Sequence, residues 1–272
     1  MSKDKLFTYG REGHIATIML NRPEKRNALN PAVWKAVGEA VAEAEKDREA
    51  RVVLLRGAGQ SFCAGLDLSP TNELFAMVAA QVSAVQKARF YEEVLATQAV
   101  HTRLERLAKP TLAVIQKHCL GAGLELALCC DILLSTEDAV FALPEAKLAF
   151  ITDVGGLQRL PKFVNKGVAR EIAFRGHRFD AKWAHHVGLV THVLPDEAAL
   201  LAKAMEIADD IAGNPPLAVQ GAKEVMLYDE EVSLADSLQY NAARSAMIVP
   251  SEDQKEAVAA YIEKRRGVFK GE

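Results

Sequence analysis

Apolar and polar positions recur along this chain with two different periods, and the places where the period changes mark its elements. Residues 14–20 (HIATIML) alternate and then run apolar, which predicts a strand that Asn21-Arg22-Pro23 ends. Asn30-Pro31 is a cap and first-turn pair, and Val33, Val37, Val41 and Ala44 predict one face of a helix to about residue 46. Residues 51–56 (RVVLLR) read as a buried strand, followed by Gly57-Ala58-Gly59 and a second glycine-containing turn, Ser61 to Asp67 (SFCAGLD). Residues 69–108 mix Ala, Gln, Glu and Lys, which predicts a weakly anchored flap helix and then a long helix running into Lys109-Pro110. Residues 111–119 are expected as a buried strand; Gly121-Ala122-Gly123 turns the chain, and a helix opens from Ala122. A strand at 131–135 and a short strand closing at Pro144-Glu145 follow.

Past Gly155-Gly156 the helical period predominates: 157–165, 167–175, 180–187, 197–213, 216–228, 233–248 and 251–266, with one strand-like piece at 189–194. The expected organisation is an α/β core over residues 1–195, in which a strand–strand–helix unit repeats about three times. Residues 196–272 form a helical appendage whose apolar stripes need a cover, such as a neighbouring subunit.

Composition narrows the class. The 272 residues are half apolar and a quarter charged, with a formal net charge of −3, the profile of a soluble globular protein with no nucleic-acid partner expected. The Lys264-Arg265-Arg266 cluster reads as a solvated helix end. No run reaches the ~18 apolar residues of a membrane span, and the start carries no apolar signal segment, so a cytoplasmic location and no membrane partner are expected. Cys63, Cys119, Cys129 and Cys130 lie in apolar surroundings at spacings that suit neither a disulfide framework nor zinc, so they are expected as reduced core residues.

Several chemistries drop out. Gly121-x-Gly123 lacks the third glycine of a dinucleotide fingerprint, since Leu126 occupies that position. Gly59-x-Ser61 lacks the closing glycine of a nucleophile elbow. His185-His186 has no third ligand near it in sequence, and His118 and Cys119, as neighbours on a strand, face opposite ways. No metal site is expected. Two features remain. Two strands end in glycine turns, and if the turns meet, the backbone N–H groups of Leu66 and Ala122 can converge on one oxygen. Three carboxylates, Glu125, Glu145 and Asp153, sit among apolar residues; carboxylates crowded in a dry pocket share protons, and their pKa values split.

Six spaced motifs occur in order: residues 21–29 (NRPEKRNAL), 61–67 (SFCAGLD), 121–125 (GAGLE), Cys130-Asp131, Pro144-Glu145 and 155–161 (GGLQRLP). Together they resemble the crotonase, or enoyl-CoA hydratase/isomerase, superfamily over about residues 5–266. The resemblance implies a spiral of strand–strand–helix units with a helical C-terminal trimerisation region, assembled as a homotrimer or a dimer of trimers. It implies an acyl-CoA substrate, with coenzyme A carried in as part of that substrate and no separate cofactor. Leu66 and Ala122 match the family's oxyanion hole. The loop Ala64, Gly65, Leu66 and Asp67 and the basic Lys25 and Arg26 match its CoA-binding positions.

Hydratases of the family use acids at the positions of Glu125 and Glu145. The stretch 153–162 (DVGGLQRLPK) instead resembles Δ3,5-Δ2,4-dienoyl-CoA isomerases, in which acids at the positions of Asp153 and Glu145 move protons at C2 and C6. Glu125 departs from that subgroup, which usually has aspartate there, and keeps the hydratase pair intact. The expectation is an isomerase of this kind. The alternatives are a 2-enoyl-CoA hydratase using Glu125 and Glu145, or an acyl-CoA binder without catalysis.

Overall fold

A computed structural model describes residues 5–72 and 83–272; part of the expected flap helix, residues 73–82, lies outside the described residues. The main sheet has six strands in the order β1 (Phe7–Glu12), β2 (Ile15–Leu20), β3 (Val52–Gly57), β4 (Thr111–Ile115), β6 (Ile132–Thr136) and β9 (His192–Leu194). Every neighbouring pair is parallel except β1 and β2, which form a hairpin. A second sheet joins β5 (His118–Leu120), β7 (Val140–Ala142) and β8 (Phe179–Asp180).

One expected element divides. Residues 111–119 are not a single strand: Lys117 takes a φ of 55°, which breaks the extended run and sends β4 into the main sheet and β5 into the small one. The β6–β7 pair divides between the two sheets in the same way. The repeating unit is therefore one strand in each sheet followed by a helix. Isolated parallel bridges, Cys63 to Cys119 and Leu29 to Leu66, extend this stacking to the loops before and after Ala64. This second layer brings the glycine turns side by side.

Alternation along the central strands fills two cores. Val53, Leu55, Ala113 and Ile115 face the larger one, which α1 (Pro31–Lys46) covers with Val33, Trp34, Val37 and Val41. Asn30 caps α1 by accepting from Val33 N at 3.0 Å, with Pro31 in the first turn. Val52, Leu54, Leu112, Val114 and Leu134 face the opposite way and are covered by Leu200, Ala204, Ala208 and Ala212 of one C-terminal helix, Glu197–Ala212. The four free cysteines are all buried, and burial pushes the thiols of Cys63 and Cys130 up to about 12.

Packed against α1 runs α2 (Ala84–Glu105), started by a capping box at Ser83 and Gln86. It is a largely exposed helix whose buried residues are Thr97, His101 and Leu104. The short helix α3 (Ala122–Ala127) opens off Gly121, and α4 (Gly156–Phe163) opens off Gly155. Further along, α5 (Lys166–Arg175), α6 (Ala181–His186), α7 (Glu197–Ala212), α8 (Pro216–Asp229), α9 (Leu234–Ile248) and α10 (Glu252–Glu263) lie where the sequence predicts them. The last three leave Met226, Leu234, Met247, Tyr261 and Ile262 exposed.

Candidate active site

The two glycine turns meet. Cys63 N donates to His118 O at 2.8 Å and Leu120 N donates to Cys63 O at 3.1 Å, so the strand ends before the two turns are zipped together. Gly65 has φ +88° and packs so closely on the other turn that a Cβ there would lie 2.6 Å from Leu120 O and 3.6 Å from Ala122 N. Gly121, at φ +51° and ψ −126°, lets the chain enter α3 at an angle that L-residues rarely adopt. Leu29 N takes Gly65 O and Asp67 N takes Leu29 O, both at 2.8 Å, which leaves the Leu66 N–H between them unused. Among the described residues, the N–H groups of Leu66 and Ala122 have no acceptor, and both residues line one cavity of ≈ 140 Å³. Two unpaired backbone donors lining one apolar cavity can stabilise charge that develops on an oxygen there.

All three predicted acids line the same cavity. Glu125, on α3 and 2% exposed, accepts from Val154 N at 3.1 Å and Gly156 N at 2.8 Å, both on its Oε1. Its carboxyl is pushed up to about 8 by burial and by the nearby Glu145 and Asp153, against the pull of those two N–H donors. Glu145 stands in the 3-10 turn Pro144–Leu148, with Oε1 over Gly121, where an added Cβ would meet it at 2.6 Å. Burial also raises its pKa; the Thr152 hydroxyl, donating to Oε2 at 3.3 Å, opposes this and Asp153 adds to it. Asp153 is half-buried on the loop before α4, and burial raises it too. Three acids with raised affinities for protons, beside two free backbone N–H donors, are suited to removing and returning protons next to a polarised carbonyl.

The remaining predicted positions divide. Ala64 and Gly65 line the cavity, and Ala64 N donates to Arg26 O at 2.9 Å, which sets the exposed Lys25 and Arg26 beside that loop. Asp67 does not line the cavity. Its carboxylate accepts from Arg22 Nη1 at 2.7 Å and Ser69 N at 2.9 Å; although burial raises its pKa, these bonds hold it down at about 2. Its side chain therefore shapes the loop.

Sequence reasoning passed over several residues. Asn27, 1% exposed, accepts from Arg22 N and donates to Ala58 O and Ser61 O, which fixes the loop ahead of Cys63. Trp34, Phe90, Val94 and Thr97 wall the cavity from α1 and α2. On α2 the signal was present as the spacing 90, 94, 97, 101, a helical stripe within a polar segment.

The chain matches the family model described as enoyl-CoA hydratase/isomerase over residues 10–272. It is 36% identical to a mitochondrial Delta(3,5)-Delta(2,4)-dienoyl-CoA isomerase of Mus musculus, over 93% of this chain and 77% of that one. It is 34% identical to a short-chain-enoyl-CoA hydratase of Clostridium acetobutylicum, over 94% of each chain. The crystal structure of an enoyl-CoA hydratase from Bacillus anthracis superposes with a TM-score of 0.90 at 33% identity, covering 98% of this chain and 100% of that one.

Proposed function

Because the chain belongs to the enoyl-CoA hydratase/isomerase family, we propose that it is a double-bond isomerase that converts a 3,5-dienoyl-CoA into its 2,4-isomer. The thioester oxygen sits between the N–H groups of Leu66 and Ala122, which makes the C2 proton acidic. Asp153 removes that proton; the C2–H electron pair becomes a C1–C2 double bond, the carbonyl pair moves onto the thioester oxygen, and the resulting enolate is conjugated with the double bonds at C3 and C5. As this enolate collapses, the carbonyl re-forms, the double bonds shift to C2 and C4, and the electron pair of the former C5–C6 double bond takes a proton from Glu145 at C6. Each turnover leaves Asp153 protonated and Glu145 ionised, and exchange with solvent restores both.

The observation that carries this reading is the division of labour among the acids. Asp153 and Glu145 share the cavity with the two oxyanion donors, whereas Glu125 already holds two backbone N–H groups on one carboxylate oxygen. The mouse relative, a Delta(3,5)-Delta(2,4)-dienoyl-CoA isomerase, supports the same reading. A second reading, hydration of a 2-enoyl-CoA by Glu125 and Glu145, is favoured by Glu125 lining the same cavity and by the Clostridium relative. Coenzyme A belongs to the substrate in either case; its place is against Ala64, Gly65 and Leu66, with Lys25 and Arg26 near its phosphates. The exposed apolar residues of α8–α10 are, on this reading, covered by other copies in a trimer or a dimer of trimers.

The test is turnover of 3,5-dienoyl-CoA and 2-enoyl-CoA by the same preparation. The isomerase reading expects kcat/KM for the dienoyl ester to exceed that for hydration by at least about tenfold. The reverse ratio would overturn it in favour of the hydratase.

A further inference from the structure

The long helix α2 is attached to the rest of the chain at one place that bears on the chemistry. Gln98 Nε2 donates to Asp153 O at 2.6 Å, and one turn along, His101 Nδ1 lies 2.7 Å from Val154 O. The peptide between Asp153 and Val154 is thereby held at both ends: its carbonyl by Gln98 and its N–H by Glu125 Oε1 at 3.1 Å. The following peptide is held through Val154 O by His101 and, at 3.4 Å, by Arg159 Nη1. Arg159 is itself tied to α2 through Glu105 at 2.7 Å and Thr102 at 3.3 Å.

His101 is a costly residue to keep for packing alone. It is fully buried, its ring stands edge-on to Trp34 at 5.1 Å, and its Nε2 has no partner among the described residues. Burial drives its pKa down to about 4, so the ring is neutral near pH 7, and the Val154 carbonyl fixes the proton on Nδ1. A leucine of similar volume would fill the space without an unpaired nitrogen. What histidine adds is one donor aimed at the loop that carries Asp153. The same helix face also reaches the substrate cavity, through Phe90, Val94 and Thr97.

We propose that Gln98 and His101 are positioning residues for the proton carrier Asp153, so that docking of α2 against the 153–156 loop sets the carboxylate at the distance from C2 that proton removal requires. The inference rests on the isomerase reading above. It also links the wall of the acyl cavity to the acid: an acyl chain that seats α2 correctly aligns Asp153 through the same helix.

The experiment compares five variants with wild type on 3,5-dienoyl-CoA: Gln98→Met, which keeps length and loses the donor; His101→Leu; the Gln98→Met/His101→Leu double; His101→Asn, whose amide restores a donor near Nδ1; and Asp153→Asn as the control for the acid itself. Steady-state kinetics and exchange of the C2 protons in D2O are measured for each. Each donor-deleting single variant is expected to lower kcat about tenfold and the double about 100-fold. KM should stay within about twofold, C2 exchange should fall in parallel, and His101→Asn should recover most of the loss. Wild-type kcat and exchange in the double variant would overturn the proposal while Asp153→Asn remains inactive. A loss carried equally by KM, or one that His101→Asn does not recover, would assign these contacts to folding alone and also overturn it. An Asp153→Asn enzyme that still isomerises would locate the failure in the reaction itself and remove the role given to the clamp.

Discussion

The glycine turns and the 150–156 loop face each other across one cavity but are held by different means. The turns are main chain against main chain: Cys63, Ala64, Leu120 and Gly121 all donate to backbone carbonyls of neighbouring segments. The loop owes its path to side chains from other elements, with Glu125, Gln98, His101 and Arg159 taking its peptide groups and Thr152 reaching Glu145. The first arrangement depends mainly on the glycines, with Asn27 and Asp67 bracing the loop on either side of Cys63 and Gly65. The second changes with every side chain that holds it. On the proposed reading, such a fold keeps the two backbone donors in place while the placement of its acids is open to change, in keeping with a hydratase and an isomerase among its relatives.

If that contrast is right, damage to the two halves should differ in kind. The largest effect is expected from Gly121→Ala. The new Cβ would meet Glu145 Oε1 at 2.6 Å in a backbone conformation with φ +51°, which displaces the Ala122 donor. Loss of at least about 100-fold in kcat/KM is expected for isomerisation and for any residual hydration alike, read in the two turnover assays. A loss confined to one reaction would break the comparison, because the turn would then belong to the specific chemistry. Gly65→Ala, whose Cβ would lie 2.6 Å from Leu120 O, should behave in the same way.

A smaller effect separates the halves by pH. The carboxyl of Glu125 is raised from 4.5 to about 8 in the folded state, so the native protein holds a proton that the unfolded chain has released. Its contribution to stability is complete below about 4.5 and is lost as pH rises towards and through about 8. Glu145 and Asp153, raised by burial, act with the same sign. Asp67, held at about 2, works in the opposite sense and only at acid pH. The melting temperature should therefore fall by several degrees between pH 5 and 8, and Glu125→Gln should flatten that slope. An unchanged slope in Glu125→Gln would mean that the acid side is wetter than its packing indicates.

The same contrast explains what could be read from the sequence. Gly65 and Gly121 announce the turns because main-chain geometry of that kind leaves few alternatives to glycine, and the alternation around 53–55 and 113–115 announces the strands packed beneath them. Glu125, Glu145 and Asp153 stood out as acids in apolar surroundings. Gln98 and His101 did not: they are ordinary residues in a polar helical segment, and their partners are 55 and 53 positions away. The division of residues 111–119 into β4 and β5 was hidden for a related reason, because the break falls on Lys117, whose positive φ no composition rule marks. The tie between Asp67 and Arg22 is hidden in the same way, because the two stand 45 positions apart and no spacing rule pairs them.

The central claim is that Asp153 and Glu145 move the protons while Glu125 holds the loop, and the most direct test is isomerisation of 3,5-dienoyl-CoA by Asp153→Asn and Glu125→Gln side by side. Asp153→Asn should lose about 100- to 10,000-fold in kcat. Glu125→Gln should lose about tenfold or less, since a glutamine oxygen accepts from Val154 and Gly156 as the carboxylate does. The opposite order, with Asp153→Asn active and Glu125→Gln inert, would contradict the account.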